Sequence, residues 1–138
     1  MLLKEIIPSS VMQDLIAYFT NMFTKYKVYS ALVTQSGSGA PTAIVLQNTL
    51  GPITFQRNSS GRYYVKSSAL FTASKTFITF GPLVTYDGSY NPVVGTEIGN
   101  NDTSTFQFGT AISNTATNDS EFLDNVLYET SLEIRVYN

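Results

Sequence analysis

Paired carboxylates are the main route to catalysis that this sequence leaves open, because its 138 residues include ten Asp and Glu but no His and no Cys. A glycosidase would need two of these acids about 5–10 Å apart across a cleft. The acids lie mostly in predicted loops or at strand ends, where a solvated turn residue is the usual role. We therefore predict that the chain is not an enzyme. The acids considered are Asp87, Glu97, Asp102, Asp119, Glu121 and Asp124.

The missing residue types exclude further classes of chemistry. Without His, the chain has no Ser-His-Asp triad and no His-ligated metal site. Without Cys, it has no thiolate nucleophile, iron–sulfur cluster or disulfide. We expect no catalytic residue, no cofactor and no metal site.

Two Asn- and Asp-rich segments could supply oxygen ligands to calcium, namely Gly99–Asp102 and Asn118–Glu121. Neither has the spacing of an EF-hand loop, and both are typical of turns in which the side chain bonds to its own backbone. Ser36–Gly39 is similar only in its glycines to a phosphate-binding loop, since no Gly-Lys-Ser/Thr follows it. We interpret all three as turns.

Charge and hydropathy exclude two classes of partner. The net charge is −2, and the eight Lys and Arg residues are scattered, so the chain lacks the basic stripe that nucleic-acid binding requires. It also lacks a run of about 20 apolar residues, so we expect no membrane span. The first residues carry Glu5 where a secretory signal would carry positive charge, and we expect no such signal.

Aromatic residues are the remaining candidates for binding, with nine Tyr and nine Phe. Exposed tyrosines can stack on sugar rings, and we predict Tyr64, Tyr86 and Tyr90 as possible contacts to a surface ligand. Other aromatic residues fall on the apolar side of alternating strands, and we expect these to be core: Phe55, Tyr63, Phe77, Phe106 and Phe108.

An amphipathic helix is predicted over residues 10–25, with Ser10 and Gln13 at the spacing of a capping box. Its apolar residues recur at intervals of three and four over barely two heptads. The stripe could pack on the rest of the chain as ordinary core, or it could meet copies of itself or a larger partner. We expect the second, and predict these residues for oligomerisation or docking: Val11, Met12, Leu15, Ile16, Phe19, Met22, Phe23 and Tyr26.

From Tyr26 onward the apolar period changes from 3.6 to 2, and turn residues recur about every ten positions. This pattern predicts an all-β domain of about eight strands, a β-sandwich or jelly roll, over residues 26–138, preceded by a helical segment over residues 1–25. The predicted strands are 26–35, 42–49, 52–58, 62–67, 76–81, 92–98, 103–112 and 131–137.

Several short motifs resemble a module in virion proteins of phages infecting Bacteroidetes. The matching motifs lie in the same order and at tight spacing, although Phe55 stands where that family often has Trp, and residues 82–125 match no part of it. The motifs are Tyr26–Gly37, Ala40–Pro41, Val45–Gly51, Ile53–Arg57, Gly61–Tyr63 and Glu133–Tyr137.

This resemblance implies a structural component of a phage particle, such as a head fibre, spike or capsid decoration protein, exposed on the virion surface. Such proteins are commonly trimeric, which implies a homo-oligomer and contacts with other capsid or virion proteins. The alternative is a receptor- or carbohydrate-binding adhesion module, such as a tail fibre domain, with a host surface glycan as its ligand. A carboxylate glycosidase is a distant third possibility.

Overall fold

The computed structural model describes residues 7–23, 25–81, 99–100, 102–114 and 119–138. These residues form one helix, α1 (Ser9–Phe23), and ten strands. The strands are β1 (Tyr26–Thr34), β2 (Thr42–Asn48), β3 (Thr54–Ser59), β4 (Arg62–Lys66), β5 (Thr76–Phe80), β6 (Gly99–Asn100), β7 (Thr105–Gly109), β8 (Ala111–Asn114), β9 (Asp119–Phe122) and β10 (Thr130–Tyr137).

The strands form two four-stranded antiparallel sheets and one separate hairpin. The first sheet has the order β2-β1-β10-β5, the second has the order β3-β4-β7-β6, and β8 pairs with β9. The predicted class, an all-β sandwich preceded by one N-terminal helix, is confirmed.

The core lies between the inner faces of the two sheets. The first sheet contributes Tyr29, Ala31, Val33, Leu132, Ile134 and Val136, and the second contributes Tyr63, Val65, Phe106 and Phe108. The rings of Phe80 on β5 and Phe108 on β7 join the sheets, with centroids 4.8 Å apart. Burial of each large apolar side chain contributes about 1.5–3 kcal/mol. No residue of α1 belongs to this described core.

Period-2 alternation predicted most strand faces correctly. Along β10, Leu132, Ile134 and Val136 are buried while their neighbours are more exposed, and the same pattern holds along β3 and β4. β1 is largely apolar on both faces: Tyr29, Ala31 and Val33 on one face are buried, and Leu32 on the other face is half-buried.

The predicted strand 103–112 is wrong in one respect, because the chain leaves the second sheet at Thr110. There the Thr110 backbone N–H donates to Gly61 O (2.7 Å), and its hydroxyl donates to Leu123 O (2.7 Å). The chain then continues as β8, which pairs with β9 instead of β4. Residues 113–114 and 119–122, which lie between two predicted strands, therefore belong to a hairpin.

The helix begins two residues earlier than the predicted capping box requires. The backbone N–H of Met12 donates to Pro8 O (3.0 Å), so Pro8 provides the first helical acceptor and Ser10 lies inside the helix. The helix ends at Phe23, and Tyr26 belongs to β1, where its ring lies 5.2 Å from that of Tyr137.

Phe77 is not a core residue, contrary to our expectation. It is 52% exposed because it lies opposite Arg135 on the outer face of the first sheet, at the edge strand β5. Its neighbours Ile78 and Phe80 pack against the core instead. The segment Thr-Phe-Ile-Thr-Phe has aromatic residues in both registers, so alternation does not choose between its faces.

The predicted strand 92–98 and the tyrosines Tyr86 and Tyr90 lie outside the described residues. Within the described ranges, no helix has the length and apolar composition needed to cross a membrane.

Candidate functional site

The apolar side of α1 is exposed in the single chain. Its large apolar residues are 40 to 64% exposed, and Met12 is half-buried. Phe23 ends the helix, and its side chain lies outside the description. We call the exposed set the helix surface: Val11, Leu15, Ile16, Tyr18, Phe19 and Met22.

The helix surface has almost no charge. Asp14 is the single ionisable residue between Ser9 and Phe23 other than Tyr18. The Thr20 hydroxyl donates to Ile16 O (2.8 Å), so this polar group is satisfied within the helix. The rings of Tyr18 and Phe19 meet edge to face at 5.9 Å, which extends the predicted stripe by one aromatic residue. Such a face is suited to contact with another apolar surface.

A second exposed apolar surface lies on β2, an edge strand of the first sheet. We call it the β2 surface: Ile44, Val45 and Leu46. These side chains are 51 to 61% exposed. Ile44 lies opposite Leu32, Val45 lies opposite Ala31, and Leu46 lies at a register shift, so the surface includes both faces of the strand.

Our reading of the sequence predicted β2 as a strand but missed its exposure. The available signal was the run Ala-Ile-Val-Leu, which has no polar alternation and no charge within Thr42–Asn48. Such a run usually indicates a strand that is covered on both sides. In this chain the run is at an edge, where nothing in the described residues covers it fully.

A hydrogen-bond network around Asp124 is the main charged cluster of the β domain. Arg57 binds the carboxylate in bidentate fashion, with Nε 3.2 Å from Oδ1 and Nη2 2.6 Å from Oδ2. The Tyr63 hydroxyl donates to Oδ1 (2.7 Å), and the Gly61 N–H donates to the same oxygen (3.0 Å). Tyr63 is fully buried and Asp124 is mostly so. The carboxylate therefore joins the loop after β9 to the β3–β4 hairpin.

The electrostatics of this network favour an ionised carboxylate. The hydrogen bond from Arg57 is the main cause that lowers the pKa of Asp124 to about 2, although burial acts in the opposite direction. Burial first, and then the hydrogen bond to Asp124, raises the pKa of Tyr63 well above its ordinary value of 10. Asp124 is thus a poor proton donor and Tyr63 a poor base near neutral pH, and their geometry is suited to holding the hairpin and loop together.

Gly61 is a fixed element of the same network. Its φ is +61°, and an added Cβ would lie 2.5 Å from Leu123 N and 2.6 Å from Thr110 O. Only glycine fits this close backbone contact.

A neutral network holds the other end of the same loop. The Asn125 N–H donates to Gln35 Oε1 (2.7 Å), and the Gly37 N–H donates to Asn125 Oδ1 (2.6 Å). Gln35 is buried, and its Nε2 donates to Gly37 O and Gly39 O. Ser36–Gly39 is therefore a turn, as predicted, and these hydrogen bonds hold it in place. The segment after β9 is fastened to both sheets.

The other candidate acids are dispersed. Asp102 Oδ1 accepts from Ser104 N–H (2.6 Å) and Thr105 N–H (2.7 Å), which is the turn role that we predicted. Asp87 and Glu97 lie outside the described residues. Within the described residues, no group of three Asp and Glu is placed to hold a metal ion.

Of the three tyrosines predicted as ligand contacts, only Tyr64 is described. It is half-buried on β4, and the Lys66 ammonium lies 5.8 Å from its ring centroid. The structure therefore brings none of the predicted tyrosines together within its described part.

Comparisons with known proteins give no relative for this chain. No protein-family model matches it, and no curated protein and no solved structure matches it either.

Proposed function

We propose that this chain is a non-enzymatic structural protein of a phage virion, of the head fibre, spike or capsid decoration type. It assembles through its N-terminal helix as a homo-oligomer, with a trimer favoured, and contacts other virion proteins. The β domain is displayed on the particle surface. The proposed location on a virion rests on the resemblance described above, whose motifs lie within Tyr26–Tyr63 and Glu133–Tyr137.

The observation that carries the proposal is the exposed helix surface. Exposure of several large apolar side chains to water is unfavourable by about 25 cal/mol for each Å². Contiguous apolar patches of this kind mark sites of contact with other proteins. The exposure of the helix surface favours intermolecular contact over the alternative in which the stripe is core of its own domain.

The composition of the core supports a division of roles between helix and β domain. The described core cluster consists of residues from Tyr29 onward, and the network around Asp124 also lies within the β domain. A domain whose core does not use the helix can be displayed while the helix is engaged elsewhere. This division fits an anchoring segment followed by a displayed module.

The roles of the described acids support the absence of catalysis in the proposal. Asp124 accepts hydrogen bonds from three different residues, and Asp102 caps a turn. Both carboxylates therefore have structural hydrogen-bond partners.

Labelling of intact particles tests the proposed function. We expect gold-conjugated antibodies raised against the β domain to label the surface of purified virions, at a constant position and in a fixed copy number. Particles assembled with the double variant Leu15→Asp/Phe19→Asp should lose this label, because two charges on the helix surface oppose its burial.

The matched control for that experiment is Ala17→Asp, on the opposite side of α1, which should keep the label. Absence of label from wild-type particles, with the protein found only in the soluble lysate, would contradict the proposed function.

A further inference from the structure

We propose that the outer face of the second sheet binds an acidic polysaccharide, a sugar chain that carries carboxylate or sulfate groups. The site lies in the β domain and does not use the helix surface, so this activity goes beyond the proposed function in assembly. We call the site the cationic face, and it consists of Gln56, Arg62, Tyr64, Lys66 and Gln107.

The register of the second sheet brings these five residues to one face. β4 alternates between buried core residues and half-buried outer residues. Its central outer residue, Tyr64, lies opposite Gln56 on β3 and Gln107 on β7. Neighbouring strands are about 4.8 Å apart, so these three residues form a row of roughly 10 Å across the sheet. Arg62 and Lys66 lie on the two sides of this row, each about 7 Å along the strand from its centre.

The charge of the second sheet has one sign. Its four strands contain no Asp or Glu, but they contain three cationic residues. Arg57 is paired with Asp124, whereas Arg62 and Lys66 have no carboxylate partner among the described residues. Asp102 lies in the turn before β7, where its Oδ1 accepts from two backbone N–H groups. In a chain of net charge −2, this separation of charge favours an anionic ligand at the cationic face.

Arg62 is held in a defined position by an aromatic ring. Its guanidinium carbon lies 4.3 Å from the ring centroid of Phe122. Gly109, which lies opposite Arg62 on β7, makes room for this ring, since an added Cβ would lie 2.5 Å from the Phe122 side chain. A stacked guanidinium keeps the N–H groups on its edge available, and this planar fork matches two oxygens of one anionic group. The stack therefore orders the cation before a ligand binds.

Tyr64 and the two glutamines supply the groups that recognise a sugar ring. The C–H groups on one side of a sugar ring pack on an aromatic ring, and its hydroxyls exchange hydrogen bonds with polar groups beside that ring. Each glutamine amide can both donate and accept, and neither side-chain amide is bonded to another described residue. The Lys66 ammonium lies 5.8 Å from the Tyr64 ring centroid. A negative group on a sugar stacked there would therefore lie near a cation.

The spacing of the two cations favours a chain of sugars over a single sugar. Arg62 and Lys66 are four residues apart on β4, which corresponds to about 13 Å. This distance exceeds the width of one sugar ring, so the two cations would bind acid groups on different sugars. Nucleic acid is a poorer match, because its dense phosphates call for a basic stripe and not two cations.

Binding of the full chain to four immobilised polymers tests the proposal. Polygalacturonate carries carboxylates on sugars, dextran sulfate carries sulfates, dextran is neutral, and poly-glutamate carries carboxylates without sugar. We expect at least one of the two acidic polysaccharides to bind at least tenfold more tightly than dextran and poly-glutamate. Its binding should weaken at high salt, because salt screens exposed charges.

Substitutions on the cationic face should weaken this binding. Tyr64→Ser and Arg62→Gln should each reduce the affinity about tenfold, because they remove the stacking ring and the ordered cation. Tyr64→Phe keeps the ring and should stay close to wild type. Lys75→Gln is the matched control, since it removes one charge at an exposed position outside the second sheet, and it should change the affinity less than twofold. Lys66→Gln provides a second cation variant if Arg62→Gln does not fold by circular dichroism.

Each other result contradicts binding of an acidic polysaccharide at this face. Equal binding to poly-glutamate would indicate an acidic protein surface as the ligand, and equal binding to dextran would indicate a neutral glycan. Binding that survives the substitutions would lie elsewhere on the chain, and failure of both acidic polysaccharides to bind would overturn the proposal. Particle labelling is a separate measurement, so the proposed function and this inference can each fail alone.

Discussion

The helix and the sandwich use the same kinds of apolar residue in opposite ways. In the sandwich, Leu132 and Phe106 are buried between the sheets, and even the charged Asp124 has hydrogen-bond partners. On α1, Leu15 and Phe19 are about half-exposed and lie outside the described core. The difference shows that the described core of the sandwich forms within one chain, whereas these apolar residues of the helix lie outside that core.

The largest expected effect is on the free energy of unfolding, when the same Leu-to-Ala substitution is made in the sandwich and in the helix. Leu132→Ala should lower the free energy of unfolding by about 3–5 kcal/mol, because it leaves a cavity in the core. Leu15→Ala should change it by about 0.5 kcal/mol or less in dilute solution, since its side chain is already exposed. Urea denaturation followed by circular dichroism measures both values at one low protein concentration.

Varying the protein concentration provides a control for the same two variants. The effect of Leu15→Ala should grow as the protein concentration rises, because association then stabilises the wild type, while the effect of Leu132→Ala stays large throughout. Equal costs for the two variants in dilute solution would show that α1 packs on its own domain.

A smaller effect on stability is expected at the Asp124 network, which joins residues of the β domain. The pKa of Asp124 is lowered from 3.8 to about 2, so the folded state binds this proton less readily than the unfolded state. The stabilisation is present above pH 4 and is lost as the pH falls toward 2. The wild type should therefore lose about 1–2 kcal/mol more than Asp124→Asn between pH 5 and pH 2.

Comparison of the two chains cancels the contributions of the other acids. The measurement is the urea midpoint at each pH, converted with the slope of each transition. If the difference between wild type and Asp124→Asn stays constant over this range, the carboxylate is not held in its charged form by Arg57 and Tyr63.

Local patterns predicted much of this structure because they report which strand face is apolar. Period-2 alternation correctly predicted which face of β3, β4 and β10 is the more buried, and apolar residues spaced three and four apart predicted the helix. It failed at Phe77, where aromatic residues occupy both registers, and at Thr110, where hydrogen bonds to Gly61 and Leu123 turn the chain into another hairpin. Those bonds join residues distant in sequence, so no local pattern contains them.

The candidate surfaces were predicted less completely. The helix stripe gave most of the helix surface, although Tyr26 belongs to β1 and Tyr18 was missed. The exposure of Ile44, Val45 and Leu46 depends on the position of β2 at a sheet edge. Strand order is decided by long-range pairing, so one apolar run cannot distinguish an edge strand from a covered one. The partners of Asp124 are likewise more than 60 residues away along the chain.

The absolute mass in solution tests assembly through the helix most directly. Sedimentation equilibrium of the full chain should give a small integral multiple of 15.2 kDa, with three favoured. A chain without residues 1–25 should keep its β circular dichroism and sediment as a monomer, and so should the full-length variant Leu15→Asp/Phe19→Asp. A monomeric wild type, or a variant that keeps the wild-type mass, would contradict assembly through α1.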